Sequence, residues 1–283
     1  MPHNGKKKDK KIIKKDGETE LFNPQKLCDS MVVVGASENL AQQVCGIIEE
    51  SIDSNISTDT IFTTTHRYLS ELNPGIAAIY SLQRGLSALG PSGFLFEQYV
   101  AEVLRELGYN VQTNLYLKGE GVSHEIDVLA EKGNLSYIIE AKYRNDFKAK
   151  THINQVMYAD ARFQDIKRQA KKTANTREFY MWVVTNTEFT DSAINYVKYR
   201  DLQLIGWSHP KFINLKKIVH EKKLYPVTVL PSITKKALKS LSSSGTVLVK
   251  QIAHSSAQDL QEKYNITRTL ANKLSEEIKN LMD

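Results

Sequence analysis

The stretch from Val122 to Arg144, VSHEIDVLAEKGNLSYIIEAKYR, carries apolar residues in the pattern of two strands, broken by a turn at Lys132, Gly133 and Asn134. Asp127, Glu140 and Lys142 fall in the middle of this otherwise apolar hairpin. Charged side chains are buried only when paired or bound to a metal, so a chain containing this hairpin has to satisfy two carboxylates and an amine inside or beside its core. Alternation along the second strand places Ile138, Glu140 and Lys142 on one face and Ile139, Ala141 and Tyr143 on the other. The turn brings Asp127 opposite Ile138 or Ile139, one cross-strand diagonal from Glu140.

The elements around the hairpin define its domain. Gly90-Pro91-Ser92-Gly93 interrupts a helical pattern and marks a boundary, after which FLFEQYVAEVLRELGY forms an amphipathic helix ended by Gly108. Glu97 shares a helical face with Val100, Ala101 and Leu104, so this carboxylate borders the buried stripe while Glu102, Arg105 and Glu106 point away. A strand, YNVQTNLYL, leads into the hairpin. The helix INQVMYADARFQDIKRQAKK, the strand EFYMWVVTN and the helix and strand of FTDSAINYVKYRDLQLIGW follow it. The basic run Lys167, Arg168, Lys171 and Lys172 is compatible with a phosphate backbone and equally with a solvated helix face.

Composition narrows the function classes only modestly. With 283 residues, 41% hydrophobic and 25% charged, the chain has room for two or three ordinary globular domains. No apolar run approaches the ~20 residues of a membrane span and no signal-peptide core is present, which predicts a cytoplasmic protein with no membrane partner. The net charge of +6 permits a polyanionic partner, and seven lysines crowd the first fifteen residues. Cys28 and Cys45 lie in helix-like apolar segments and read as buried thiols. His124, His152 and His209 have no zinc spacing, and no GxxxxGK[ST] loop occurs.

Residues 1–90 read as a basic tail, a short hairpin turning at Asp16-Gly17, and several helices, the first opened by Asn23-Pro24. Lys14 and Lys15 on the hairpin and Lys26 on the helix are placed to converge on a triphosphate. The pattern Ile12-x-Lys14-Lys15-Asp16-Gly17, then Glu20-x-Phe22-Asn23-x-x-Lys26-Leu27, then AAIYSLQR, resembles the ATP-cone domain, with Lys15 where that family usually has arginine and Asn23 where it usually has aspartate. The resemblance implies ATP or dATP as a regulatory ligand, held by Lys14, Lys15, Gly17, Phe22 and Lys26.

Asp127-x12-Glu140-Ala141-Lys142 resembles the signature of PD-(D/E)xK nucleases, with Ile126 in place of the proline, and residues 91–225 are similar to the Mrr-type restriction-endonuclease domain. The fold this implies is α/β, a restriction-endonuclease-like mixed sheet flanked by helices, behind a mainly helical α+β ATP-cone domain and before a small helical domain at 226–283. The activity it implies is Mg²⁺-dependent DNA endonuclease hydrolysis, with Mn²⁺ as a possible substitute. Asp127, Glu140 and the Ala141 carbonyl become the metal ligands, Lys142 the residue that orients water and stabilises charge, Glu97 a partner of Lys142 or ligand of a second ion, and Gln155 a positioning residue. Alanine at Asp127, Glu140 or Lys142 is then expected to abolish cleavage with the fold intact.

After the linker-like YPVTVLPS, short helices are expected around Lys235–Leu241, Val247–Ala253, Ala257–Tyr264 and Arg268–Leu281. They resemble two degenerate helix-hairpin-helix units, with Gly245 in the first hairpin and Asn265 in the second, and imply DNA binding or dimerisation into a homo-oligomer. Two other functions remain open: a non-catalytic, nucleotide-responsive DNA-binding regulator, and a nuclease for RNA or branched DNA.

Overall fold

A computed structural model of the chain describes residues 10–14, 17–90, 93–147, 149–173 and 176–282. The chain divides into two compact units, Met1–Gln83 and Arg84–Asp283, with the division falling inside a helix rather than at Gly90-Pro91.

In the first unit β1 (Lys11–Ile13) pairs antiparallel with β2 (Thr19–Leu21) across a turn in which Gly17 takes a φ of 90°, a conformation open to a residue without Cβ. The helices follow where their caps place them. Asn23 accepts from the Lys26 N–H to start α1 (Pro24–Val33), and Ser37 accepts from Leu40 N to start α2 (Glu38–Ser51). The dipeptide β3 (Ile56–Ser57) runs parallel to β1, a third strand too short for periodicity to reveal. Ser57 then caps α3 (Thr58–Leu72), and α4 (Pro74–Ser87) closes the series. Met31, Val34, Val44, Ile48 and Leu69 are fully buried at the centre. Cys28 and Cys45 correct the expectation of separate buried thiols: their sulfurs meet across α1 and α2, with Cα atoms 5.9 Å apart and within disulfide range.

The second unit is mixed α/β. It opens with α5 (Phe94–Glu106), followed by the meander β4 (Asn110–Lys118), β5 (Ser123–Lys132) and β6 (Leu135–Lys142), the last two joined at Gly133-Asn134. The dipeptide β7 (Lys150–Thr151) precedes α6 (Ile153–Lys172), and β8 (Glu178–Thr185) returns parallel to β6. After β9 (Glu188–Phe189), paired with β7, come α7 (Asp191–Val197) and β10 (Leu202–Ile205). The five-stranded sheet has the order β10-β8-β6-β5-β4, antiparallel on the meander side and parallel on the other. Ile138, Met181, Val183 and Leu204 pack with Val156, Phe163 and Ile166 of α6 on one face. The other face carries the buried stripe of α5, Phe96, Val100, Val103 and Leu104.

The remaining helices are α8 (Leu215–Glu221), α9 (Lys235–Ser243), α10 (Ala257–Tyr264) and α11 (Arg268–Met282). The passage YPVTVLPS is not a linker. Tyr225, Val227, Val229 and Leu230 are buried, Val227 N donates to Val247 O at 2.9 Å, and Thr228 Oγ1 donates to Gly85 O at 2.7 Å. Its β-branched residues find a core among the C-terminal helices instead of solvent. The expected helix at Val247–Ala253 is a single 3-10 turn, Val249–Ile252. Asn265 takes φ 49° between α10 and α11, the left-handed geometry its short amide tolerates. Among the described residues no helix is long and apolar enough to cross a membrane.

Candidate active site

The sheet opens where Asp127 lies. The β5/β6 ladder ends at Val128↔Ile139, so Asp127 and Glu140 are the next positions on their strands and stand level with one another, closer than the diagonal expected from sequence. On the other side, the β4/β5 ladder skips the Asn114 and Asp127 positions, where Asn114 has a φ of 53°. The break shifts the phase of β5: Ile126 and Leu129 both join the apolar cluster of α6, although strict alternation would send them to opposite faces. Freed from the ladder, Asp127 caps the next strand with its own side chain, Oδ2 accepting from Ala141 N at 2.8 Å.

Glu140 is 4% exposed. Its Oε1 accepts from Lys142 Nζ and its Oε2 from Arg162 Nη1 at 2.7 Å. Lys142 is therefore held by Glu140, not by Glu97. Arg162 comes from α6 and is not part of the sequence motif. A signal for it exists, because Ala159, Arg162, Phe163 and Ile166 share one face of α6 and the other three are buried. Arg162 also lies over the Tyr158 ring, 5.5 Å from its centroid.

Charge in the site is uneven. Burial and the neighbouring Glu140 charge push the Asp127 carboxyl up to about 6, against the pull of Ala141 N–H, Lys142 and Arg162. Burial and the Asp127 charge likewise push Glu97 up to about 6, with Glu140 and Glu125 adding to the rise. Glu97 thus interacts electrostatically with the cluster. Two carboxyls titrating near 6 mark a site short of positive charge.

Gln155, in the first turn of α6, accepts from Arg144 Nη2 through Oε1. The basic run on α6 is largely occupied within the chain. Lys167 pairs with Asp201 at 2.5 Å, Arg168 with Glu120 at 2.7 Å and Asp165 at 3.1 Å, and Lys172 with Glu120 at 2.6 Å. His124 Nε2 donates to Asp165 Oδ2 at 2.8 Å, and Gly121 N donates to the same carboxylate. That carboxylate anchors the β4/β5 turn to α6, and a Cβ at Gly119 would come within 2.0 Å of Asp165 Oδ2.

In the first unit Lys14 and Lys26 do converge, on the Glu20 carboxylate, at 3.2 and 3.7 Å. Phe22 packs against the core there, and Lys15 lies outside the described residues. An apolar cavity of about 700 Å³ in the second unit, lined by Leu104, Trp182, Ile205 and Phe212 among others, contains none of the acidic cluster.

Among the described residues no group of three or more His, Cys, Asp or Glu side chains is arranged to hold a metal ion. The donor chemistry at Asp127 and Glu140 is nevertheless the kind Mg²⁺ takes, hard carboxylate oxygens few enough to leave bound waters in place. The raised Asp127 carboxyl fits such an ion, because a cation there would offset the repulsion from Glu140.

The fold and site together define a mixed α/β protein with a carboxylate and lysine cluster at the opened edge of its sheet. Residues 225–282 match the family described as AF1548-like, C-terminal, and residues 92–189 match a domain of unknown function, DUF4143. An uncharacterized protein of Archaeoglobus fulgidus is 32% identical over 163 residues, covering 58% of this chain and 88% of the relative. The crystal structure of the protein of unknown function AF1548 superposes with a TM-score of 0.58 at 30% identity, covering 68% of this chain and 98% of that one. The chain belongs to this AF1548-like family.

Proposed function

We propose that the second unit is a Mg²⁺-dependent endodeoxyribonuclease with the fold of the Mrr-type PD-(D/E)xK restriction endonucleases. The observation that carries this reading is the meeting of Asp127, Glu140 and Lys142 at a break in the ladder, with Glu97 coupled to them. Asp127, Glu140 and the Ala141 carbonyl would hold Mg²⁺ or Mn²⁺, which when bound polarises the scissile phosphate and acidifies a water. Lys142, anchored by Glu140, supplies a mobile ammonium to a phosphate oxygen as charge builds there. Glu97, electrostatically coupled to Asp127 and Glu140, would be a ligand of a second ion. The α9 to α11 region is assigned to DNA binding or to formation of a dimer or higher oligomer.

The test is incubation of the purified protein with supercoiled plasmid, linear DNA, branched DNA and RNA, with and without Mg²⁺ and ATP. Cleavage of DNA only when Mg²⁺ is present is the expected result; cleavage confined to RNA or to branched DNA would move the substrate assignment. No cleavage of any of them, with DNA still bound, would favour a second reading, the non-catalytic nucleotide-responsive regulator. One observation favours that reading: both oxygens of Glu140 already have cationic partners in Lys142 and Arg162.

For the first unit the proposed ligand is ATP or dATP acting as a regulator. It is supported by the convergence of Lys14 and Lys26 beside the Gly17 turn, where Glu20 now takes the hydrogen bonds a phosphate would accept. Replacing both lysines with alanine is expected to weaken ATP binding by about tenfold or more. Unchanged affinity by titration calorimetry removes the phosphate role.

A further inference from the structure

Beyond the end of β6 at Lys142 the chain continues through Tyr143 to Arg144, two residues on from Lys142. The backbone there is fixed by buried polar side chains from the end of β8 and its following turn. Arg144 N donates to Asn186 Oδ1 at 2.8 Å, and Arg144 O accepts from Asn186 Nδ2 at 2.9 Å, so one amide grips both backbone groups. Thr185 Oγ1 donates to Lys142 O at 2.7 Å and is itself reached by Thr151 Oγ1 at 3.2 Å. Asn186, Thr185 and Thr151 are all 0% exposed. These hydrogen bonds fix where residues 142–144 lie.

The guanidinium seated there is under-used. Its Nη2 donates to Gln155, a neutral group. Its Nε is buried and has no hydrogen-bond partner. Among the described residues Arg144 forms no ion pair with a carboxylate, whereas Arg162, Arg168, Arg177 and Arg200 each do. A permanent cation with a buried, unsatisfied N–H and no counter-charge is unfavourable unless an anion completes it. Planar donors in a fixed fork match a phosphate best.

We propose that Arg144, positioned by Asn186 and Gln155, binds the phosphodiester adjacent to the one being cut, on a nucleic-acid strand that runs from Lys142 to Arg144. Two residues of chain reach at most about 7 Å, comparable with the spacing of successive phosphates on one strand. This rests on the nuclease reading for the position of the cut, but the anion site itself stands on Arg144, Asn186 and Gln155. The ligand class is a backbone phosphodiester, read without base contacts.

The experiment measures binding of a fluorescein-labelled DNA oligonucleotide by anisotropy in EDTA, across a salt series, for the full-length wild type, Arg144→Ala and Arg144→Lys. Loss of one phosphate contact is expected to weaken binding about tenfold or more for Arg144→Ala and to lower the slope of log affinity against log salt by about one. Arg144→Lys should restore the slope, since it restores the charge, but not all of the affinity, since it lacks the fork. Cleavage is then compared on DNA carrying one neutral methylphosphonate beside the scissile position. Wild type should be impaired by it, and Arg144→Ala should be no further impaired than by its own substitution. Unchanged affinity and slope in Arg144→Ala overturn the proposal even if the protein cuts DNA normally. A changed slope in a protein that cuts nothing sustains the phosphate site and rejects the nuclease reading, so the two failures are distinguishable.

Discussion

Asp127→Asn is expected to abolish the proposed Mg²⁺-dependent cleavage, by on the order of 10³-fold, and the same variant is expected to be more stable than wild type when the metal is chelated. Both effects follow from one property. The Asp127 carboxyl stands at about 6 in the folded chain against a reference of 3.8, because burial and Glu140 oppose its ionisation. A carboxyl raised on folding binds its proton more tightly in the folded state, so stability falls as pH rises from about 4 to about 6 and is constant above that. The shift corresponds to about 3 kcal/mol at most, and about 1 to 2 kcal/mol once partial exposure is allowed for. Asparagine removes the charge and keeps an oxygen to accept from Ala141 N–H. Thermal melts in EDTA at pH 7.5 should therefore place the variant above wild type, and the difference should shrink at pH 4.5, where wild-type Asp127 is protonated. A carboxylate retained for a structural ion pair gives the opposite sign, loss of stability at neutral pH. In the metal-free protein Asp127 and Glu97 should both ionise as pH rises through about 6, and a bound dication should draw the Asp127 carboxyl downward.

Much of this architecture is legible in local chemistry. Asn23, Ser37 and Ser57 each cap the helix they precede, Gly133 turns the β5/β6 hairpin, and Asn265 takes its left-handed place, because each depends on a few adjacent residues. The site was legible in membership more than in arrangement. Glu97 was betrayed by its position beside an apolar stripe, and Asp127, Glu140 and Lys142 by charge within apolar strands. The level alignment of Asp127 with Glu140 was not legible, since it follows from a ladder interrupted opposite Asn114, whose φ of 53° no alternation pattern announces. Arg144 was hidden, and Arg162 signalled only by its place on the buried face of α6, for another reason. Arginine on a lysine-rich helix or after a strand reads as solvated charge, and only the tertiary packing brings these two beside Glu140 and Gln155. The pairing of Cys28 with Cys45 likewise depends on how α1 crosses α2, and the burial of Tyr225–Leu230 on a partner region distant in sequence.

Glu140→Ala should not leave the fold intact, contrary to what the sequence motif alone implies. Glu140 is the common acceptor for Lys142 and Arg162, and its side chain is 5% exposed while that of Arg162 is 13% exposed. Removing one partner from a buried ion pair leaves an uncompensated charge and costs about 3 to 5 kcal/mol. Loss of activity in Glu140→Ala would then confound unfolding with chemistry. Glu140→Gln preserves volume and hydrogen-bonding capacity, so it should cost less stability while still removing the metal-binding charge and cleavage. The decisive comparison adds Arg162→Gln. If Arg162 is desolvated in order to hold Glu140, the double variant Glu140→Gln, Arg162→Gln recovers stability relative to Glu140→Gln alone, because the stranded guanidinium is gone. Arg162→Gln by itself leaves Glu140 with Lys142 only and removes a charge that holds the Asp127 carboxyl down, so the pH profile of its stability in EDTA should shift to higher pH. Urea denaturation of the four proteins gives the coupling directly. Additive changes in stability, with an unshifted pH profile in Arg162→Gln, would make Arg162 a bystander to the cluster and leave Lys142 as the only cation Glu140 needs.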